Sequence, residues 1–386
     1  MIATYPVGGV VWDYGQYLLG LERLGLEVFY LEDTGWQTYD PVKGLYGDDP
    51  SFGVAFLRNS LADLSPTLAK RWHFRAMDGQ SYGIEPKQLT EIIRDTDLFI
   101  NVSNSCLLRD EYMPCKKKIL IDTDPGWNHF VNFPKWDKNP GWQGSHSWRE
   151  HDCFFTYAER VGRADCVLPS LGIPWQTTRP PVVLECWEPK PPAVKWTTVM
   201  TWDNFKRPIE SNGVRYGTKE MEFGRVELLP SQTSARLELA TGGNGAPRER
   251  WQKLGWSVID SHAISRTPED YRTYIESSRG EFSVAKNVYV ATNSGWFSCR
   301  SVCYLASNRP VIVQDTGFTD RIPTGEGLFA FTNLNEAKNA IEAVEKDYST
   351  HQEAARQIAN NYFSAEKVLG RMLDDIAISA RSAKNS

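Results

Sequence analysis

The sequence predicts an α/β protein of two Rossmann-like domains that face each other across a cleft. Short apolar runs alternate with amphipathic segments in both halves, the pattern of strands feeding helices in a parallel sheet. A proline-rich stretch without periodicity separates the two series. The length, 386 residues, exceeds one core of ordinary size and suits two.

Residues 1–6 (MIATYP) read as a short apolar strand, Gly8-Gly9 as a tight turn, and Trp12–Leu24 as an amphipathic helix with Tyr17, Leu18, Leu21 and Leu24 at helical spacing. Gly25 stops that helix, and Glu27–Leu31 is the next strand, ending in Glu32-Asp33. After an irregular stretch around residues 36–80, Pro86–Thr96 is expected as a helix. Asp97–Val102, Lys118–Asp122 and Cys153–Tyr157 are expected as strands. Leu171–Pro181 and Glu188–Pro192 suit a semi-rigid linker, because proline fixes φ and lacks an N–H. The boundary falls near residue 188, giving an N-terminal domain over 1–187 and a C-terminal domain over 188–365. A last helix over 366–386 is long enough to pack back across it. In the second series Trp196–Trp202, Ala235–Ala240, Trp256–Ile259 and Pro310–Gln314 are strands, with a short apolar run at Phe282–Tyr289. Thr267-Pro268-Glu269 opens a helix with an N-cap and an N1 proline; Ser301–Ala306, 334–346 and 350–378 are also helical.

Composition narrows the function. Lys and Arg total 43 against 48 Asp and Glu, a net charge of −5, so there is no general attraction to nucleic acid or anionic lipid. No apolar run approaches the roughly 18–20 residues of a membrane span. The first residues lack the basic and apolar regions of a signal peptide, which points to the cytoplasm. Seven cysteines form no CxxC pair, and Cys299 and Cys303 read more naturally as buried thiols than as metal ligands. His146, Glu150, His151 and Asp152 match no closed zinc spacing, so no metal or other cofactor is expected. Fourteen tryptophans are many, and Trp127, Trp142, Trp148, Trp175, Trp187, Trp202 and Trp296 fall in loop-like stretches. Two or three are expected to touch ligand, the rest to pack.

In open α/β sheets ligands bind beyond the carboxyl ends of the strands. Asn293, Ser294 and Gly295 form a turn there, followed by a helix beginning near Ser298. A helix start offers free N–H groups to a diphosphate, Ser298 and Ser301 add hydroxyls, and Arg300 adds a charge that can fork onto phosphate. Asp315, Thr316 and Gly317 follow the next strand, and Glu326 lies in a further glycine turn. Singly these read as ordinary loop residues; their succession at strand ends reads as a site.

The layout SVCYLASNRPVIVQDTGF followed by IPTGEGLFAF resembles the nucleotide-sugar site of GT-B glycosyltransferases, particularly those similar to glycosyltransferase family 4. The opening Gly8-Gly9, helix and Gly25–Val28 likewise resemble that family's acceptor-side loop and strand entry. The resemblance spans most of the chain. It implies a metal-independent transferase with a nucleotide-diphosphate sugar held by the C-terminal domain and a small-molecule or glycan acceptor held by the N-terminal one. The donor would be met by Lys206, Lys219, Asn293, Ser294, Gly295, Ser298, Arg300, Ser301, Asp315, Thr316, Gly317 and Glu326. The family's two glutamates, separated by seven residues, correspond here to Gly295 and Cys303, so the usual carboxylate pair is missing. Asp13, Asp124 and His129 are the candidates to take or orient the acceptor proton. Asp124 also reads as a turn-former and His129 as a structural histidine. A UDP-sugar epimerase of the same fold and a catalytically silent sugar-nucleotide-binding protein are the alternatives. A Rossmann oxidoreductase is disfavoured, since no GxGxxG follows a strand.

Overall fold

A computed structural model of the protein describes residues 1–202, 208–243 and 245–382, with side chains to residue 377. Both halves are α/β, but their sheets differ in continuity.

In the N-terminal half, β1 (Tyr30–Glu32) pairs in parallel with β4 (Trp72–Arg75), which carries the antiparallel β5 (Ser81–Gly83); between them β2 (Thr38–Asp40) and β3 (Leu45–Gly47) form a separate hairpin. A second, all-parallel sheet runs β6 (Phe99–Val102), β7 (Lys118–Asp122), β8 (Cys153–Thr156) and β9 (Gln176–Thr177). The apolar run at residues 1–6 is not a strand. Its first residues form turns in which the backbone N–H groups of Ala3 and Thr4 donate to the buried Glu32 carboxylate at 3.0 and 2.7 Å. A side chain thus satisfies the donors that a neighbouring strand would otherwise take.

The first helix, α1, starts at Gly8 and not at Trp12, and ends at Arg23. Gly8 and Gly9 are therefore its first residues, not an acceptor-side loop. Gly8 N–H donates to the Ser265 carbonyl at 2.7 Å, and a Cβ on Gly8 would lie 2.1 Å from the Thr267 oxygen. Glycine is required because the C-terminal half closes over this helix end.

In the C-terminal half, β10 (Lys195–Thr201), β13 (Arg236–Gly242), β14 (Ser257–Asp260), β15 (Gly280–Ser283), β16 (Val311–Gln314) and β17 (Leu328–Phe331) form one parallel sheet. Their order is β14-β13-β10-β15-β16-β17, the doubly wound arrangement whose direction reverses between β10 and β15; β11 (Ile209–Ser211) and β12 (Val214–Tyr216) make a hairpin outside it. The Thr267 hydroxyl caps the 268–277 helix by accepting from Asp270 N–H at 3.0 Å.

The expected helix over 350–378 is two helices, Tyr348–Ile358 and Ala365–Ser382, joined by a wider turn at 359–363. The break falls where the linker crosses: Val182 N–H donates to the Phe363 carbonyl and Ala365 N–H to the Val182 carbonyl, each at 2.8 Å. Beyond it Leu369 and Met372 enter the core that α1 shares with β7 and β8. A second interdomain core joins Trp127, Phe130 and Val131 to Ile209, Tyr216, Val288 and Tyr289. No helix among the described residues is long and apolar enough to cross a membrane.

Candidate active site

The switch between β10 and β15 opens a small pocket of about 20 Å³, lined by residues after β15 (Val284, Ala285), at the start of the Cys299–Ala306 helix (Ser298, Arg300, Ser301) and after β16 (Thr316, Phe318). No side chain caps that helix, so its first N–H groups are left for a ligand. The Ser301 hydroxyl and one Glu281 carboxylate oxygen are each buried without a hydrogen-bond partner.

Arg300 lines the cavity, but its fork is already occupied. Nε donates to Glu281 at 2.6 Å, Nη1 to the Val199 carbonyl at 2.7 Å and Nη2 to the Ser283 hydroxyl at 2.8 Å. Burial is the largest influence and opposes its charge, but Glu281 together with Tyr271 and Tyr304 outweighs it, and the guanidinium pKa is raised. The expected fork onto phosphate is therefore corrected: Arg300 ties the helix start to the two strands that flank the switch point. Lys219 lies beside it, buried, its Nζ donating to the Val284 carbonyl at 3.0 Å. Burial, reinforced by Arg300, drives its pKa well below the ordinary lysine value. Lys206 lies outside the described residues.

The 293–295 turn faces the N-terminal half. Gly295 has φ 75°, its N–H donates to the Thr316 carbonyl at 2.7 Å, and a Cβ there would lie 2.9 Å from Cγ of Arg160. Arg160 follows β8, pairs with Asp165 and Asp320, and its N–H donates to the Ser294 carbonyl at 3.1 Å. So at one of the two missing glutamate positions the space belongs to an arginine from the other domain. At the other, Cys303 is buried with its thiol on the Cys299 carbonyl. Asn293 reaches Asp165 at 3.2 Å, and the Ser294 hydroxyl bonds the Tyr289 carbonyl at 3.1 Å. Asp315 caps the turn after β16, accepting from Gly317 N–H at 2.8 Å, while Thr316 donates to the Trp296 carbonyl at 2.6 Å. These residues build the turn; Thr316 alone among the last three lines the cavity.

Glu326 is corrected. It sits exposed just before β17, and the parallel register Val311↔Leu328 puts it at the amino end of the sheet, opposite the cavity.

Across the cleft, Asp13 projects from the second turn of α1 toward Cys299 and lies close enough for the thiol to act on its titration. Asp13 is an exposed residue, yet the neighbouring cleft walls raise its pKa to about 6, against the Cys299 thiol and the Arg300 charge. Asp13 lies beyond the first turn of α1, where the helix dipole would have favoured its ionised form, so desolvation decides the shift. Burial and the Asp13 charge push the Cys299 thiol well above its ordinary value, so it stays a neutral donor. The other two candidates are engaged elsewhere. Asp124 pairs with Lys286 at 2.6 Å and accepts from the Tyr289 hydroxyl at 2.5 Å, a bridge between the halves. His129 is fully buried, Nε2 on Asp122 at 3.0 Å and Nδ1 on the Pro169 carbonyl at 2.7 Å, stacked on Trp175; it belongs to the core and not to the cleft wall.

Sequence reasoning missed Arg160, Glu281 and Cys299 as members of this constellation. Arg160 lies just beyond a strand end, so the strand-end rule could have found it. Glu281 was signalled by a lone charge inside an apolar strand. Of the tryptophans, Trp148 and Trp187 are core, Trp296 spans the cleft with its indole N–H on the Thr123 carbonyl at 3.0 Å, and Trp142 is exposed.

No protein-family profile matches the sequence, and no curated protein sequence matches it. Solved structures do. The glycosyltransferase AviGT4, involved in avilamycin A biosynthesis, aligns over 94% of this chain and 88% of its own, with a TM-score of 0.51 at 12% identity. Anabaena HepE in complex with UDP and glucose aligns over 91% of this chain and 99% of its own, with a TM-score of 0.50 at 9% identity. HepE in complex with UDP aligns over 84% and 89%, at 0.50 and 10%. The fold is GT-B: two Rossmann-like domains facing across a cleft.

Proposed function

We propose that the protein is a glycosyltransferase that takes its sugar from a nucleotide-diphosphate sugar without a metal ion. The observation that carries this reading is the cavity at the β10/β15 switch point, with an uncapped helix start and an unpartnered Ser301 hydroxyl, opposite a carboxyl group from the other domain. The division near residue 188 makes 188–365 the donor half and 1–187 the acceptor half. Diphosphate oxygens would take the free N–H groups of the 299–306 helix and the Ser301 hydroxyl. The arriving anion would favour the charged form of the buried Lys219 amine, whose pKa burial lowers, and so supply charge a metal would otherwise bring. Asp13, ionised above about pH 6, would accept the acceptor hydroxyl proton as oxygen bonds to the anomeric carbon and the carbon–diphosphate bond breaks. That AviGT4 is a glycosyltransferase and that HepE binds UDP supports the same reading.

The test is incubation with labelled nucleotide-sugars and a panel of acceptors, with and without EDTA. Transfer or hydrolysis that persists in EDTA is expected. Loss of turnover restored by Mg²⁺ would overturn the metal-free mechanism. Isomerisation of the donor would indicate an epimerase, and binding without turnover a silent sugar-nucleotide-binding protein.

A further inference from the structure

Two tryptophans, Trp36 and Trp142, stand 54% and 41% exposed, belong to none of the hydrophobic clusters and stack on no other ring among the described residues. They sit on different loops that are stapled together. The Gln143 side chain donates to the Gly35 carbonyl at 2.9 Å, and the Gln143 carbonyl accepts from Arg109 Nη1 at 2.8 Å. Arg109 in turn forks onto the fully buried Asp33, with Nη2 at 2.9 Å, and Tyr112 donates to the same carboxylate at 3.0 Å. A buried ion pair contributes little net stability, and two exposed indoles contribute less still. The visible consequence of the staple is to tie together the two loop backbones that carry these exposed indoles.

Their place in the fold gives them a use. The 103–109 loop that carries Arg109 also reaches Tyr14, the neighbour of Asp13, through Ser105 at 3.2 Å. Trp36 follows β1, the 103–109 loop follows β6 and Trp142 lies in the segment after β7, so both indoles belong to loops beyond the carboxyl ends of N-terminal strands. We propose that they form a distal acceptor subsite that stacks on the ring faces of a carbohydrate, so that the acceptor is a glycan longer than one sugar. This rests on the transferase reading above. Rigid aromatic faces bind apolar ring surfaces at small entropic cost, and indole N–H groups can bond hydroxyls. The adjoining segment after the hairpin carries Asp48, bonded by Gln37 at 2.9 Å, while Asp40 of the hairpin pairs with Lys43 and Asp49 accepts from Ser51 N–H. Carboxylates and amides suit sugar hydroxyls and repel an anionic lipid surface.

The experiment uses the full chain, fluorescently labelled, on an array of defined oligosaccharides, followed by titration of the strongest hit against wild type, Trp36→Ala and Trp142→Ala. UDP is titrated into the same samples. We expect each substitution to weaken the hit about tenfold, the order for losing one aromatic anchor, with melting temperature and UDP affinity unchanged. Glycan binding equal in all three proteins, or no glycan bound by wild type, overturns the subsite. Capture by neutral phosphatidylcholine vesicles that depends on Trp36 while no glycan binds would overturn it in favour of a lipid surface. Failure of wild type to bind UDP counts against the donor site instead, whatever the array shows.

Discussion

The two halves solve the same architectural problem differently. The C-terminal sheet is one continuous set of six parallel strands, and its site grows from the sheet itself: Val199, Glu281 and Ser283 all belong to the strands at the switch point and all hold Arg300. The N-terminal sheet is in two pieces, and its functional face is made of loops and of α1. A site built on strands inherits their rigidity, whereas one built on loops must supply its own staples, such as Arg109–Asp33. Donor chemistry is therefore expected to be sensitive to core charge, and acceptor chemistry to single exposed side chains.

The largest effect should come from the C-terminal side. Arg300→Ala leaves Glu281 buried and uncompensated, and denaturant unfolding should show a loss of about 3–5 kcal/mol. An Arg300→Met, Glu281→Gln double variant should recover much of it; equal loss in both would mean the ion pair is not the cause. Next, Asp13→Asn should lower transfer by roughly 10²-fold while leaving nucleotide affinity and melting temperature nearly unchanged. In wild type the rate should rise with pH through about 6, where Asp13 loses its proton. The same raised pKa makes this group favour the folded state at low pH, a contribution that declines as pH climbs from 3.8 to about 6. Full activity in a stable Asp13→Asn variant would remove the asymmetry between the halves.

Smaller effects probe the contact between them. Gly295→Ala would push a methyl group against Arg160 at a positive φ, and a loss on the order of 1–3 kcal/mol is expected from thermal or denaturant unfolding. Adding Arg160→Ala should restore part of it, since the clash then has no partner; strict additivity would place the strain elsewhere. The smallest signal is proton uptake. Because the Lys219 pKa is lowered in the free protein, UDP binding should take up protons and weaken as pH rises, and calorimetry in buffers of different ionisation enthalpy would measure it. Buffer-independent enthalpy would mean that Lys219 does not meet the diphosphate.

Much of the fold was legible. Lys118–Asp122, Pro310–Gln314 and the capped start at Thr267-Pro268 announce themselves through local pattern, and the structure has β7, β16 and the 268–277 helix there. The run at residues 1–6 misled, because an apolar pattern fits a strand and a buried turn equally well; a carboxylate at Glu32 decided between them. The helix over 350–378 broke for a similar reason, since the crossing linker at Val182 has no counterpart in helical periodicity. Ser298, Ser301 and Thr316, singled out in sequence by the turn and helix start near strand ends, line the pocket at the switch point. Glu326 was misjudged because a turn before a strand and a turn after one look alike in sequence.

By itself the sequence determined the alternation of strands and helices, the linker and the glycine-rich strand ends, since backbone preference and hydrophobic period are local properties. Tertiary structure alone decided that Arg300 turns inward to Glu281, that Asp124 bridges to Lys286, that Arg160 fills the space beside Gly295 and that Asp13 faces Cys299. Each of these is a pairing between side chains far apart in the chain. A charge chooses its partner by distance and burial in three dimensions, and neither is encoded in the residues on either side of it.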